Sequence, residues 1–145
     1  MRIGVDTTFL VQVSIEEHPG HARALDELTG RIAAGDTLAL APQVVTEFAH
    51  IVTDARRFAQ PLSMTAALER ARHWWHARET EQVFPTSDSV ALFVEWMQEF
   101  RLGRKRLLDT LLAATLFTGG VRTILSTNAR DYSTFGCFSV VDPGC

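Results

Sequence analysis

The chain has 145 residues, 46% of them hydrophobic and 21% charged, with a formal net charge of −3. That length accommodates one domain, spanning residues 1–145, with a sizeable core, and the composition excludes a disordered chain. The mild negative charge excludes electrostatic binding of nucleic acid by the whole surface, so any such binding needs a local basic patch.

In chain order, Arg2 to Asp6 reads as a short buried strand. Thr7 to Ile15 is a short helix or a turn, with Phe9, Leu10 and Val11 toward the core. Ala24, Leu25, Leu28 and Ile32 recur at helical spacing between Gly20 and Ala34, and Gly35 stops that helix. Thr37 to Ala41 is a second strand. Pro42 suits the first position of a helix, where its missing N–H is not needed, and that helix is expected to reach Phe58, ahead of Pro61. Ser63 is a good N-cap for a helix from Met64 to Arg78. Glu81 to Phe84 is a third strand and Asp88 to Phe100 a further helix, broken by Gly103. Leu107 to Phe117 is apolar on nearly every side and reads as a central, buried helix. Gly119-Gly120 ends it, and Arg122 to Ser126 and Phe138 to Val141 supply two more strands. Strands alternating with helices indicate an α/β fold with a mainly parallel sheet, the helices serving as crossovers.

Four acids stand in defined local settings. Asp6 closes the first strand, Glu47 lies in the second turn of the helix after strand two, Asp109 is in the first turn of the apolar helix, and Asp131 follows the fourth strand. Ligands of parallel sheets gather at the carboxyl ends of strands, and the topology can bring all four acids to that edge. Carboxylates beside so much apolar sequence need neutralisation, which a hard divalent cation such as Mg²⁺ or Mn²⁺ provides for several at once. Such an ion acidifies a water and polarises a phosphoryl oxygen. Without it the cluster repels itself, and at least one pKa rises. Taken singly, each acid has a plainer reading: a turn former, a solvated helix face, a helix-start acid stabilised by the dipole, or a loop acid.

Thr7, Thr8, Thr127 and Asn128 stand beside the acids and could hydrogen-bond the carboxylates or metal-bound waters, or simply cap turns. The run Arg101-Leu102-Gly103-Arg104-Lys105-Arg106 precedes Asp109. Arg104, Lys105 and Arg106, and more weakly Arg130, are candidates for RNA phosphate contacts, against the plainer reading of a solvated face. The histidines form no metal site: His18 and His21 flank Pro19-Gly20 in a solvated loop or helix start, His73 and His76 share a helix with Trp74 and Trp75, and His50 is most simply solvated. No Ser-His-Asp arrangement, glycine-rich phosphate loop or CxxC motif is present. Cys137 and Cys145 lack metal-site spacing and read as free thiols of a cytoplasmic protein. No run is long and apolar enough to span a bilayer, and the opening residues lack a signal-peptide layout.

The segments Ile3-Gly4-Val5-Asp6-Thr7-Thr8-Phe9-Leu10, Val45-Thr46-Glu47-Phe48, Leu108-Asp109-Thr110-Leu111-Leu112-Ala113-Ala114 and Leu125-Ser126-Thr127-Asn128-Ala129-Arg130-Asp131-Tyr132, in this order and spacing, resemble the PIN-domain ribonucleases. The closest likeness is to VapC-type toxins of toxin–antitoxin pairs, over nearly the whole chain. The resemblance implies a three-layer α/β/α fold with a roughly five-stranded sheet, and a Mg²⁺- or Mn²⁺-dependent endoribonuclease. Asp6 and Asp109 would be the principal metal ligands, Glu47 would complete the triad, and Asp131 would be the fourth acid. Asn128 stands where some relatives carry another acid, which puts a second metal position in question. The resemblance also implies a homodimer and a small antitoxin partner, with Trp74, Trp75, Phe93, Trp96 and Phe100 either forming an apolar groove or filling the core. Two other readings compete: a PIN nuclease of RNA processing without an antitoxin, and a non-catalytic RNA-binding module. A receiver-like signalling domain fits poorly, because strand two ends Leu40-Ala41-Pro42 and the only lysine is Lys105.

Overall fold

A computed structural model describes residues 1–144; the reading of Cys145 as a free thiol lies outside the described residues. The elements are β1 (Arg2–Val5), α1 (Thr7–Ser14), α2 (His21–Ala33), β2 (Thr37–Leu40), α3 (Pro42–Val52), α4 (Met64–Trp75), β3 (Thr80–Gln82), α5 (Ser87–Glu99), a 3-10 turn (Arg104–Arg106), α6 (Leu107–Thr118), β4 (Thr123–Leu125), α7 (Ala129–Ser133) and β5 (Ser139–Val141). The strands form one five-stranded sheet in the order β3-β2-β1-β4-β5, and every pairing is parallel. Gly4 of β1 lies beside Ala39 of β2 and Ile124 of β4.

The chain winds from β1 toward β3, then crosses back to β4 on the other side of β1. The carboxyl ends of β1 and β4 therefore flank the switch in winding direction, where an open parallel sheet leaves a crevice. Right-handed crossovers in the two directions put helices on both faces. One layer contains α1 packed on α2 and α3, and α3 on α4; the other contains α5 against α6, and α6 against α7. This is the three-layer α/β/α arrangement expected from the sequence.

The core follows from the strand pattern. Ile3, Val5, Leu38, Leu40, Ile124 and Leu125 are almost fully buried, as strands covered on both faces require. Trp96 of α5 is buried and stacks on Phe135 with ring centroids 4.4 Å apart, while Phe100 meets Phe135 edge-on. Trp96 fills the core and offers no groove; Trp74, Trp75, Phe93 and Phe100 pack against it half-buried.

Four expectations need correction. Helix α3 ends at Val52, short of Phe58, because the Thr53 hydroxyl bonds back to the Ala49 carbonyl at 2.8 Å and the Asp54 carbonyl receives the Arg57 and Phe58 N–H groups in a turn. Helix α4 likewise stops at Trp75. Helix α6 is not buried throughout: Leu107 and Leu108 in its first turn are exposed, and burial begins at Thr110. The segment after β4 forms the short helix α7 rather than a loop. Among the described residues, no helix is long and apolar enough to cross a membrane.

Candidate active site

Asp6 is the N-cap of α1 and is only 3% exposed. Its backbone N–H continues the sheet by donating to the Leu125 carbonyl at 3.3 Å. Its Oδ1 accepts from the Phe9 N–H at 3.0 Å and from the Thr8 hydroxyl at 2.8 Å. Its Oδ2 accepts from the Ser126 hydroxyl and, at 3.4 Å, from the Tyr132 hydroxyl. The helix start and four donors favour the charged carboxylate, yet burial outweighs them and holds the Asp6 pKa above its ordinary value.

Asp109 lies across the crevice in the first turn of α6. Burial raises its pKa most, and the charges of Asp131, Asp6 and Glu47, with a hydrogen bond to Asp131, push it further, to about 7. The charges of acids from three other parts of the chain thus reach Asp109. Glu47 and Asp109, with Thr7, Val44, His50 and Leu108, line a cleft of about 490 Å³ between α3 and α6. Asp131 sits on α7 beside Arg106, whose guanidinium donates to the Asp131 carbonyl and whose Nε lies 3.7 Å from the Asp131 Oδ1. No other acid of the four has a cation paired to it among the described residues.

Among the described residues, no three acid, histidine or cysteine side chains stand close enough together to make a finished metal cage. Asp109 feels the charges of the other three acids, but the four do not converge on one point. Their donor chemistry nevertheless suits a hard divalent cation, which takes only oxygen ligands and keeps several waters of its own. Burial first, and then the neighbouring acids, disfavour the charged form of Asp109, which a bound cation would offset. Asp6 and Asp109, with Glu47 and Asp131 directly or through water, are the residues able to hold such an ion.

The neighbouring polar residues fall out differently from expectation. Of Thr7, Thr8, Thr127 and Asn128, only Thr8 hydrogen-bonds an acid; Thr7 is buried at the cleft wall, Thr127 lines a neighbouring cleft, and the exposed Asn128 starts α7 with its backbone N–H bonded to the Ser126 hydroxyl at 2.9 Å. The residues that hold Asp6 from across the fold are Ser126 and Tyr132, which sequence reasoning passed over. The register offers a signal for Ser126: Val5 pairs with Leu125, so the next residues, Asp6 and Ser126, must emerge side by side. Tyr132 is buried by the core cluster, and burial plus the four nearby acids keep its phenol protonated, well above its ordinary range. Arg106 is turned inward to Asp131 instead of facing solvent, while Arg104, Lys105 and Arg130 are exposed. His50 is exposed at the rim of the cleft. Of the expected solvated loop or helix start, His21 opens α2 and contacts the Gln12 carbonyl at 2.9 Å, while His18 lies before the helix, half-buried, and accepts the Gly20 N–H.

Comparison with solved structures decides the fold family. VapBC2 from Rickettsia felis, bound to a DNA fragment from its promoter, superposes with a TM-score of 0.70 at 15% identity, covering 98% of each chain. The chain has the VapC-type fold. VapC20 of Mycobacterium tuberculosis, a sarcin–ricin-loop-cleaving toxin, matches with a TM-score of 0.62 at 18% identity over 84% of this chain and 86% of that one. A toxin–antitoxin complex from Klebsiella pneumoniae matches with a TM-score of 0.61 at 19% identity over 97% of each chain. No family model and no curated protein sequence matches. The VapC-type fold is thus shared at identities where only backbone architecture is retained. The four acids stand where its sheet changes winding direction.

Proposed function

We propose that the protein is a metal-dependent endoribonuclease, the toxin of a toxin–antitoxin pair, acting in the cytoplasm as a single nuclease domain. The observation that carries this reading is Asp109 in a VapC-type fold, raised to about 7 first by burial and then by the charges of Asp131, Asp6 and Glu47. That VapC20 cleaves the sarcin–ricin loop supports RNA as the substrate class.

Bound Mg²⁺, or Mn²⁺ in its place, would supply a Lewis acid for the phosphoryl oxygen and an acidified water. Asp6 and Asp109 would hold the ion, and Glu47 would complete the set. Thr8, Phe9, Ser126 and Tyr132 fix the orientation of Asp6 from both sides, so it need not reorganise during reaction. Asp131, steadied by Arg106, directs the attacking water. Arg104, Lys105 and Arg130 draw the RNA backbone toward an otherwise acidic molecule. The products are a 5′-phosphate and a 3′-hydroxyl. The partners are a small antitoxin and a second copy of the chain. Exposed apolar pairs at Met64 and Leu68 of α4 and at Val90 and Val94 of α5 provide surface for such contacts.

Asp109→Asn keeps the side-chain shape, removes the charge, and is expected to lower RNA cleavage by at least about a hundredfold while the melting temperature stays level or rises. Full activity in a folded Asp109→Asn protein contradicts the mechanism. A non-catalytic RNA-binding role would show metal-independent RNA binding without cleavage in the unaltered chain.

A further inference from the structure

A second cleft, of about 540 Å³, opens near Asp6. Thr8, Gln12, His18, Arg57, Phe58 and Thr127 are among the residues that line it. It adjoins Asp6 through single residues: Thr8, which lines it, donates its hydroxyl to Asp6 at 2.8 Å, and Thr127 follows Ser126, which donates to the other Asp6 oxygen. A phosphodiester placed at the acids carries a nucleotide on each side. The cleft beyond Asp109 is walled by Val44, Leu108, Leu111 and Leu112, whereas this one presents polar groups and an aromatic ring.

The groups match one nucleotide. Phe58 packs half-buried in the wall and provides a face for stacking, an interaction open only to an unpaired base. The Gln12 amide has both donors and an acceptor for a base edge. The Gly20 N–H donates to the His18 Nδ1 at 3.0 Å, so the neutral imidazole carries its proton on Nε2 and offers a fixed donor. Burial and the neighbouring His21 lower the His18 pKa, which keeps that neutral form at physiological pH. Arg57 extends into solvent at 60% exposure, with its Nε 3.6 Å from Asp54, and can reach a phosphate. Glu17 shares the wall and is an acceptor for an exocyclic amine.

We propose that this cleft seats an unpaired RNA nucleotide adjoining the bond to be cut, its base read by Gln12 and His18 over Phe58 and its phosphate held by Arg57. The proposal rests on the nuclease reading above and adds a determinant of sequence preference to it. The test uses the full chain with Mn²⁺ on a library of single-stranded RNAs randomised around a central position, with the cut ends sequenced. The unaltered protein, His18→Ala, Arg57→Ala and Asp6→Asn are compared. The expected result is a preferred base next to the cut, relaxed about tenfold in His18→Ala. For Arg57→Ala a rise in KM of about tenfold, larger than its effect on kcat, is expected, the size of one charge-assisted hydrogen bond. Arg57 is exposed, so that variant reports even if His18→Ala fails to fold. Metal-dependent cleavage with the same base preference and KM in the folded variants overturns the nucleotide site alone. No Asp6-dependent cut anywhere in the library overturns the nuclease reading, and the nucleotide site with it.

Discussion

Asp6 shows how a buried charge is made usable. Its carboxylate accepts four hydrogen bonds, two from local groups of α1 and two from groups at the far end of the chain. The Tyr132 hydroxyl makes the longest of these contacts and, among the described residues, has no other partner. Tyr132→Phe preserves the ring that packs in the core and deletes only the donor. It should cost about 1 kcal/mol of stability and lower kcat/KM several-fold while KM changes little. Unchanged kinetics in that variant would show that Asp6 is oriented without Tyr132. Thr8 was legible in the sequence because it lies two residues from the acid it holds. Ser126 and Tyr132 were not, since their role depends on strands that pair across about 120 residues of separation.

At the level of elements, the sheet and α6 meet without room to spare. A Cβ on Gly4 would come within 2.7 Å of the Leu116 Cδ1, and Leu116 is fully buried. Gly4→Ala is therefore expected to destabilise the fold by about 1–3 kcal/mol, read as a lower denaturant midpoint with an unchanged slope. Stability equal to that of the unaltered chain would mean that Leu116 repacks freely. Helices with a strong apolar period and a cap, such as α4 after Ser63 and α2 before Gly35, could be read from sequence because local chemistry decides them. The end of α3 could not, since Thr53 and Asp54 compete for the backbone with an apolar pattern that continues to Phe58. The exposed first turn of α6 was hidden for a different reason. Leu107 and Leu108 are as apolar as the buried residues after them, and only their position at the crevice mouth exposes them. The five-residue α7 is too short to show a period at all.

On the scale of the whole molecule, the acid site sets a pH dependence. Folding raises Asp109 to about 7, so between roughly pH 4 and 7 the folded chain holds a proton that the unfolded chain has released. Asp6 is shifted in the same direction. The contribution of this site to metal-free stability is greatest below pH 4 and declines as pH rises through 7. Saturating Mn²⁺ should reverse that decline above pH 7, where the cation takes the place of the proton. A metal-free melting temperature that rises from pH 5 to pH 8, with no response to Mn²⁺ at pH 8, would contradict the assignment. The acids and the architecture were visible in the sequence because both are carried by short segments in a fixed order; the inward turn of Arg106 and the second cleft exist only in the folded chain. The most direct measurement is incubation of the purified protein with total cellular RNA in Mg²⁺, in Mn²⁺ and in EDTA, beside Asp6→Asn. Discrete fragments with 3′-hydroxyl ends that require both a cation and Asp6 are predicted. Intact RNA in every lane from a folded, cation-loaded protein, or cleavage that persists in EDTA or in Asp6→Asn, would contradict the account.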